Sequence, residues 1–351
     1  ALYMNMSMKS FVGLLPLFFL FLLPACTNET SDFVPPKPSV SHIKTDLKIQ
    51  RFEKDLFAID TNQAAPAMAA LAQKYPEFYP LFVGQIMGFG APNTPKQTEN
   101  LLHFLKDPDM RHLYDTVQRV FPNLEAVGRD FNHAFQYSRY YLPKQTYPQL
   151  ISHISAFGPA SFTLTDSILA FNLDMFLGEN FPYYRSIGDQ MPYYIRRRCE
   201  PAYLVPNTMK AYINGIYGTD NPPNKLLDQM ILEGKMLYYL DLVLPDTPDS
   251  LKIGYTQKQV EWCQHNEPQI WAFLTEKDLL FSTQAREFRK MLNEAPTTSG
   301  MPPESPGRVG VWVGWQIIRR LMSQNPDLTF EQLMSMNDAQ KLLQMSKYKP
   351  K

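Results

Sequence analysis

The sequence predicts an α+β protein, mostly helical, folded as a single domain around a small mixed sheet. Three observations predict it. Apolar residues recur at helical spacing over most of the chain. One central stretch, 149–176, instead alternates and runs apolar as strands do. Thirty prolines against sixteen glycines point to many short helices ended by proline rather than long strands joined by glycine turns. No 20–50-residue period repeats, so a solenoid is not expected. Of 351 residues, 44% are hydrophobic and 19% charged, the composition of a folded globule rather than a disordered chain.

The elements follow in order. The Ala-rich residues 62–73 read as a helix that stops before Tyr75-Pro76. Asp107-Pro108 reads as a cap with proline in the first turn, after which Leu113, Val117 and Val120 share one face. Leu124, Val127, Phe131 and Phe135 continue as another amphipathic helix. Residues 149–157 and 161–176 read as two or three strands, with Gly158-Pro159 between them. The loop PYYIRRRCEP leads to a helix at about 202–217. Residues 224–243 carry a wide apolar stripe of Leu226, Leu227, Met230, Ile231, Leu237, Leu240 and Val243. Thr256 with Gln259, and Thr329 with Gln332, each fit a capping box opening a helix. The segment 304–322 turns at Pro306-Gly307 and then becomes helical, and Gly307, Gly310 and Gly314 would let that helix approach another backbone closely.

The N-terminus carries an address. Lys9 precedes an apolar stretch from Phe11 to Ala25, the pattern of an export signal. Fifteen helical residues rise about 22 Å, too short for the ~30 Å hydrocarbon core of a bilayer. The stretch ends in Leu23-Pro24-Ala25-Cys26, which resembles the lipobox of bacterial lipoproteins, where the cysteine is acylated and becomes the first residue. Residues 1–25 are thus expected to be a lipoprotein signal peptide and Cys26 the lipidated residue, contacting the membrane. Each buried acyl methylene contributes roughly 0.8 kcal/mol, so two or more chains hold a protein stably. Residues 26–45, polar and punctuated by Pro35, Pro36 and Pro38, read as a flexible tether. Residues 46–351 form the expected globular body, beginning near 46–52.

Lys and Arg (34) balance Asp and Glu (34), so no electrostatic argument favours a nucleic-acid partner. Cys199 and Cys263, the only thiols of the body, read as two separate buried groups, although an oxidising compartment would allow a bridge. The six histidines include no pair three to five residues apart, so no helix offers the H-E-x-x-H of a zinc site. Neither a G-x-S-x-G elbow nor a Gly-rich phosphate loop occurs. No catalytic residue, metal or cofactor is therefore expected.

Some residues still invite attention. Glu233 lies on a helix among apolar neighbours and is followed by Gly234; it either faces solvent or points into a cleft. Asp228 and Asp241 read as surface positions. Arg196, Arg197 and Arg198 are the densest charge in the chain. They suit an anion or partner contact, with Tyr193 and Tyr194 available for stacking, or else ordinary pairing with neighbouring carboxylates. Arg308, beside Glu304 and Pro306, reads as fixing the turn and as a further candidate contact. Trp262, Trp271, Trp312 and Trp315 read as core or interface. Tyrosine pairs at 140–141, 183–184, 193–194 and 238–239 suit either a sugar-binding cleft or packing.

Long stretches carry a resemblance. They are LLDQMILEGKMLYYLDLVLPDT (226–247), KIGYTQKQVEWCQHNEPQIWAFL (252–274), LFSTQAREFRKMLNEAP (280–296), ESPGRVGVWVGWQIIRRLM (304–322) and SKYKPK (346–351), together with Cys26. With these the chain resembles the gliding-motility lipoprotein family GldB. The resemblance implies a lipid-anchored envelope protein associated with gliding, at the outer membrane facing the periplasm, with motility or secretion proteins as partners and no established enzymatic activity. The family in turn looks like a distant relative of zincin-like metallopeptidases, in which a second helix with Glu-Gly follows the H-E-x-x-H helix. Glu233-Gly234 fits that second helix, whereas the preceding segment 203–218 holds no histidine. That implies a degenerate zincin-like fold whose metal motif is lost, with Glu233 as the remnant ligand. The expected function is a non-catalytic protein acting through protein–protein interaction. The alternatives are a zinc-dependent metallopeptidase with atypical ligands and a solute- or glycan-binding lipoprotein.

Overall fold

The alternating central stretch supplies three strands of a four-stranded mixed sheet of order β1-β2-β4-β3 in a computed structural model that describes residues 33–188, 191–219 and 223–350. The expected signal (1–25) and Cys26 lie outside the described residues. Strand β1 is Ile49–Arg51, β2 Gln149–His153, β3 Ser161–Leu164 and β4 Ile168–Asn172. Strands β1, β2 and β4 run parallel, with Leu150 opposite both Ile49 and Leu169, and β3 closes antiparallel on β4. All five residues of β4 are buried, as a strand covered on both faces should be. Strand β1 carries no sequence signal, because three residues are too few to show a period.

Helices enclose the sheet. They include α1 (Ala64–Lys74), α2 (Pro95–Lys106), α3 (Pro108–Val120), α4 (Glu125–Tyr141), α5 (Leu204–Tyr217), α6 (Leu226–Val243), α7 (Gln257–His265), α8 (Ala285–Leu292) and α9 (Val309–Gln324). Their starts follow the local chemistry. Asp107 caps α3 by accepting from the N–H groups of Asp109 and Met110. Both expected capping boxes form, at Thr256 and at Thr329.

The stripe expected on α6 is only part of the truth, since fourteen of its eighteen residues are buried. It is a central helix. Tyr239 donates to Ser138 of α4 at 2.8 Å, and α9 crosses on another side. At that crossing Gly234 and Gly314 face one another. A Cβ on Gly314 would lie 1.9 Å from the Met230 carbonyl oxygen, and one on Gly234 would lie 2.3 Å from the Gly314 oxygen. Backbone meets backbone there, which only glycine permits. Gly234 is therefore a packing residue.

The same interface encloses a charged network. Asp241 is completely buried, against the expectation of a surface position, whereas Asp228 keeps intermediate exposure. Asp241 accepts from Arg319 through both oxygens at 2.7 and 2.8 Å, from Trp315 Nε1 at 2.9 Å and from Lys252 at 2.9 Å. Asp249 takes the other side of the Arg319 guanidinium at 2.7 and 2.8 Å, and the guanidinium lies 3.7 Å over the Trp315 ring. Buried charge survives when it is paired and hydrogen-bonded, as Asp241 is.

Residues 36–47 depart from the expected tether. Tyr141 donates to the Pro36 carbonyl at 3.4 Å, Gln136 to that of Ile43 at 2.9 Å, and Asn132 both accepts from and donates to Leu47 at 2.9 Å. Lys37 pairs with Asp246, and Val40 is buried. The compact body accordingly begins at Pro35, because side chains of α4 satisfy a backbone that its own polar sequence leaves without partners.

Cys199 and Cys263 are free and buried. Burial pushes the Cys199 thiol up to about 11 and Cys263 higher still, so both are inert thiols. Among the tyrosine pairs, Tyr184, Tyr238 and Tyr239 are buried while Tyr140 and Tyr193 are exposed, so the pairs share no single cleft. Among the described residues no helix is long and apolar enough to cross a membrane.

Candidate functional site

Where α5, α6 and the N-terminus of α9 meet, the structure gathers most of the charged residues singled out in the sequence. Glu233 of α6 accepts from Lys210 of α5 at 2.8 Å, and Arg308 stands 4.0 Å away on its other side. Its side chain keeps 36% of its surface, so it is recessed but reachable, midway between the two positions expected. The Lys210 ammonium, and after it Arg308, holds the Glu233 carboxyl below its usual range against the opposing effect of burial.

Arg308 is the hinge of the arrangement. It sits at φ 65° in the left-handed region immediately before α9, which turns its side chain back across the site. Its guanidinium reaches Glu294 at 3.0 Å and the Ile253 carbonyl at 3.2 Å. Its carboxylate partner is thus Glu294, 14 positions away in sequence. The same Glu294 oxygen accepts from Arg198 at 2.8 Å.

The three consecutive arginines separate. Arg197 donates to the Gly254 carbonyl at 2.6 Å and to Gln259 at 3.1 Å, so it grips the capping box of α7; burial lowers its pKa. Gly254, at φ 80°, lies close under the Arg198 side chain. Arg196 turns away, its guanidinium 5.6 Å from the exposed Tyr193 ring and its Nε buried without a partner. Lys210, Arg198 and Arg308 therefore share two carboxylates, Glu233 and Glu294, a surplus of positive charge. Such a site recognises carboxylates or phosphates by charge and by guanidinium geometry.

The donor set does not suit zinc. What the preceding helix offers Glu233 is an ammonium instead of an imidazole, and among the described residues no group of three or more His, Cys, Asp and Glu is placed to hold a metal ion. Structural zinc needs four such ligands and catalytic zinc three.

Two buried groups at the C-terminal ends of the parallel strands had no mark in the sequence. His153 is fully buried with neither ring nitrogen bonded, boxed by Phe78, Phe82 and Phe162 at 5.7, 6.1 and 5.7 Å. Burial pushes its pKa down to about 3. Asp174 accepts from the N–H groups of Ser155 at 3.0 Å and Phe157 at 3.3 Å; burial still pushes it up to about 7. Ala156 and Phe157 adopt φ of 53° and 69° to wrap it. Only the Gly158-Pro159 turn hinted at this corner. Elsewhere, Phe89, Asn100, His103, Phe104, Asp107 and Asp109 line a cleft of about 310 Å³.

A family model described as gliding motility protein GldB matches residues 34–350. No curated protein and no solved structure matches the chain.

Proposed function

Since the chain belongs to the GldB family of gliding motility proteins, we propose that it is a non-catalytic part of the gliding apparatus, held by lipid at Cys26 and working by contact with another envelope protein. The membrane is the outer one and the body faces the periplasm. The partner is a motility or secretion component that presents an acidic segment to the surface formed by Arg198, Lys210 and Arg308.

One observation carries this reading. Three cations, Arg198, Lys210 and Arg308, pair with two carboxylates, and side-chain exposures of 23% for Arg198 and Lys210 and 36–40% for the carboxylates leave the cluster open to exchange its internal pairs for external ones. A carboxylate-rich segment would replace Glu233 and Glu294 with little rearrangement. Catalysis by zinc has no comparable support, because Glu233 is already engaged.

The test is genetic and biochemical together. In a gliding strain, Arg198→Glu with Lys210→Glu should abolish spreading and lose the envelope crosslink made by the parent protein, at unchanged protein level. Normal spreading would refute the interaction site. Stoichiometric zinc in protein purified without chelator, lost on Glu233→Ala, would refute the non-catalytic reading. The 310 Å³ cleft, with two aromatic rings beside amide and carboxylate groups, favours a second reading as a glycan-binding lipoprotein. Saturable thermal stabilisation by an oligosaccharide would support it.

A further inference from the structure

We propose that the globular body rests directly on the bilayer through the C-terminal end of α4, with Tyr140, Tyr141 and Lys144 in the headgroup layer. The proposal rests on the lipid anchor at Cys26 and concerns what that anchor alone would not determine, namely which face of the body meets the membrane.

Chain length makes the first argument. The anchor residue Cys26 and the first residue of the compact body, Pro35, are nine residue steps apart. Fully extended, nine steps span about 30 Å, and a flexible chain of that length averages about 17 Å end to end. A body of this size measures on the order of 50 Å across. The connection is therefore shorter than the body, and the body surface around Pro35 must stay near the headgroups.

That surface is identified by its contacts. Tyr141 of α4 donates to the Pro36 carbonyl at 3.4 Å, and Lys37 pairs with Asp246 just beyond the end of α6. The chain thus leaves the body beside the C-terminal end of α4. Tyr140 is 48% exposed there, one of few large apolar side chains so exposed, and its ring lies 5.0 Å edge-on to that of Tyr141. Pro143 and Lys144 are exposed in the turn that follows, and Arg139 lies 4.5 Å over the Tyr147 ring.

The chemistry of this end suits one occupant. Tyrosine is enriched at membrane–water interfaces, where the ring meets acyl chains and the hydroxyl meets headgroups. Arg139 and Lys144 add positive charge, Lys37 being paired with Asp246, which favours phosphate-bearing lipid. An anchor that holds the patch within reach supplies the high effective concentration that so small a contact needs. The consequence is orientation. Glu233 lies ten residues before the end of α6 at Val243, about 15 Å along the helix axis, so the charged site is held clear of the bilayer.

The experiment uses the acylated full chain in vesicles of phosphatidylethanolamine and phosphatidylglycerol bearing brominated acyl chains. Tyr140→Cys and Lys144→Cys each carry an environment-sensitive fluorophore, and Lys258→Cys, exposed on α7 beside the charged site, is the control. Cys199 and Cys263 are too buried to compete for label. The expected result is strong quenching at 140 and 144 and none at 258. Vesicle-bound protein with equal quenching at all three positions overturns the inference while the anchor stands. Protein that fails to float with the vesicles overturns the anchor and the inference with it.

Discussion

Replacing Gly314 by alanine tests the central packing of the molecule. A Cβ at this position would sit 1.9 Å from the Met230 carbonyl oxygen, whereas ordinary contact begins at 3.4 Å, so the backbones must part by roughly 1.5 Å at this point. The obstructing atom is backbone, which has no rotamer to escape into. Parting the helices by even 1 Å forfeits a quarter to a half of the dispersion energy of each contact across them. It also stretches the 2.7–2.9 Å bonds from Asp241 to Arg319 and Trp315, which span the same two helices. Overpacking costs typically 1–3 kcal/mol, and helix propensity returns about 1 kcal/mol for glycine to alanine. The lost bonds bring the expected net loss to about 3 kcal/mol, or about 4–5 °C in Tm for a body of this length. Gly128→Ala is the control: its Cβ would meet only the Ile49 side chain at 3.8 Å, so propensity alone acts and Tm holds or rises slightly. Thermal unfolding followed by circular dichroism reads both. A Tm of Gly314→Ala equal to or above that of the parent would refute the close crossing.

Arg319→Met should lower the urea midpoint by the equivalent of about 3–5 kcal/mol, since it leaves Asp241 buried with a deficit of positive charge; a change under about 1 kcal/mol would contradict the role assigned to the pair. The buried acid and imidazole make opposite predictions with pH. Asp174, raised from 3.8 to about 7 by burial, contributes stability that is full below its unfolded value and lost as pH rises towards 7. His153, lowered from 6.5 to about 3 by burial, contributes stability present above its unfolded value and lost as pH falls towards 3. The two slopes oppose one another between about pH 4 and 6.5. Asp174→Asn should therefore leave a protein that weakens as acid is added, and His153→Phe one that strengthens over the same window. Urea midpoints at the two ends of the window measure this, and a parent-like profile in either variant would contradict the assignment.

The sequence announced the helices that carry their own caps and periods. Asp107-Pro108, the two capping boxes and the apolar run of α6 all form where local chemistry places them, and the alternation after Gln149 marks the sheet. What failed to show has a common cause, which is long-range pairing. Strand β1 exists because β2 offers an open edge, not because Ile49–Arg51 has a pattern. Asp241 looked like a surface residue because its cation, Arg319, lies 78 positions away. Trp315 and Arg319 stand four apart on one face of α9, and that spacing was the only legible hint of the network. The site was partly visible. Arg197, Arg198, Glu233 and Arg308 were noticed separately as charges in unusual company, but Lys210 and Glu294, which join them, look like any surface charge. Gly234, marked in the sequence only by its place after Glu233, lies where two helices touch.

Segment 36–47, bonded to the side of α4, has a mechanical consequence for any pull on the chain ahead of it. Tension arriving at Pro35 first meets the bonds from Tyr141, Gln136 and Asn132, which are strung out along α4. Those from Tyr141 and Gln136 open one after another, while Asn132 holds residues 45–47 through three bonds. The pull then reaches β1, whose residues bond side by side to β2 and are strained lengthwise, so that the ladder shares the force. Some twelve residues can thus reel out, about 40 Å at full extension, withdrawing the buried Val40 before the sheet takes the load. The chain contains its own shock absorber.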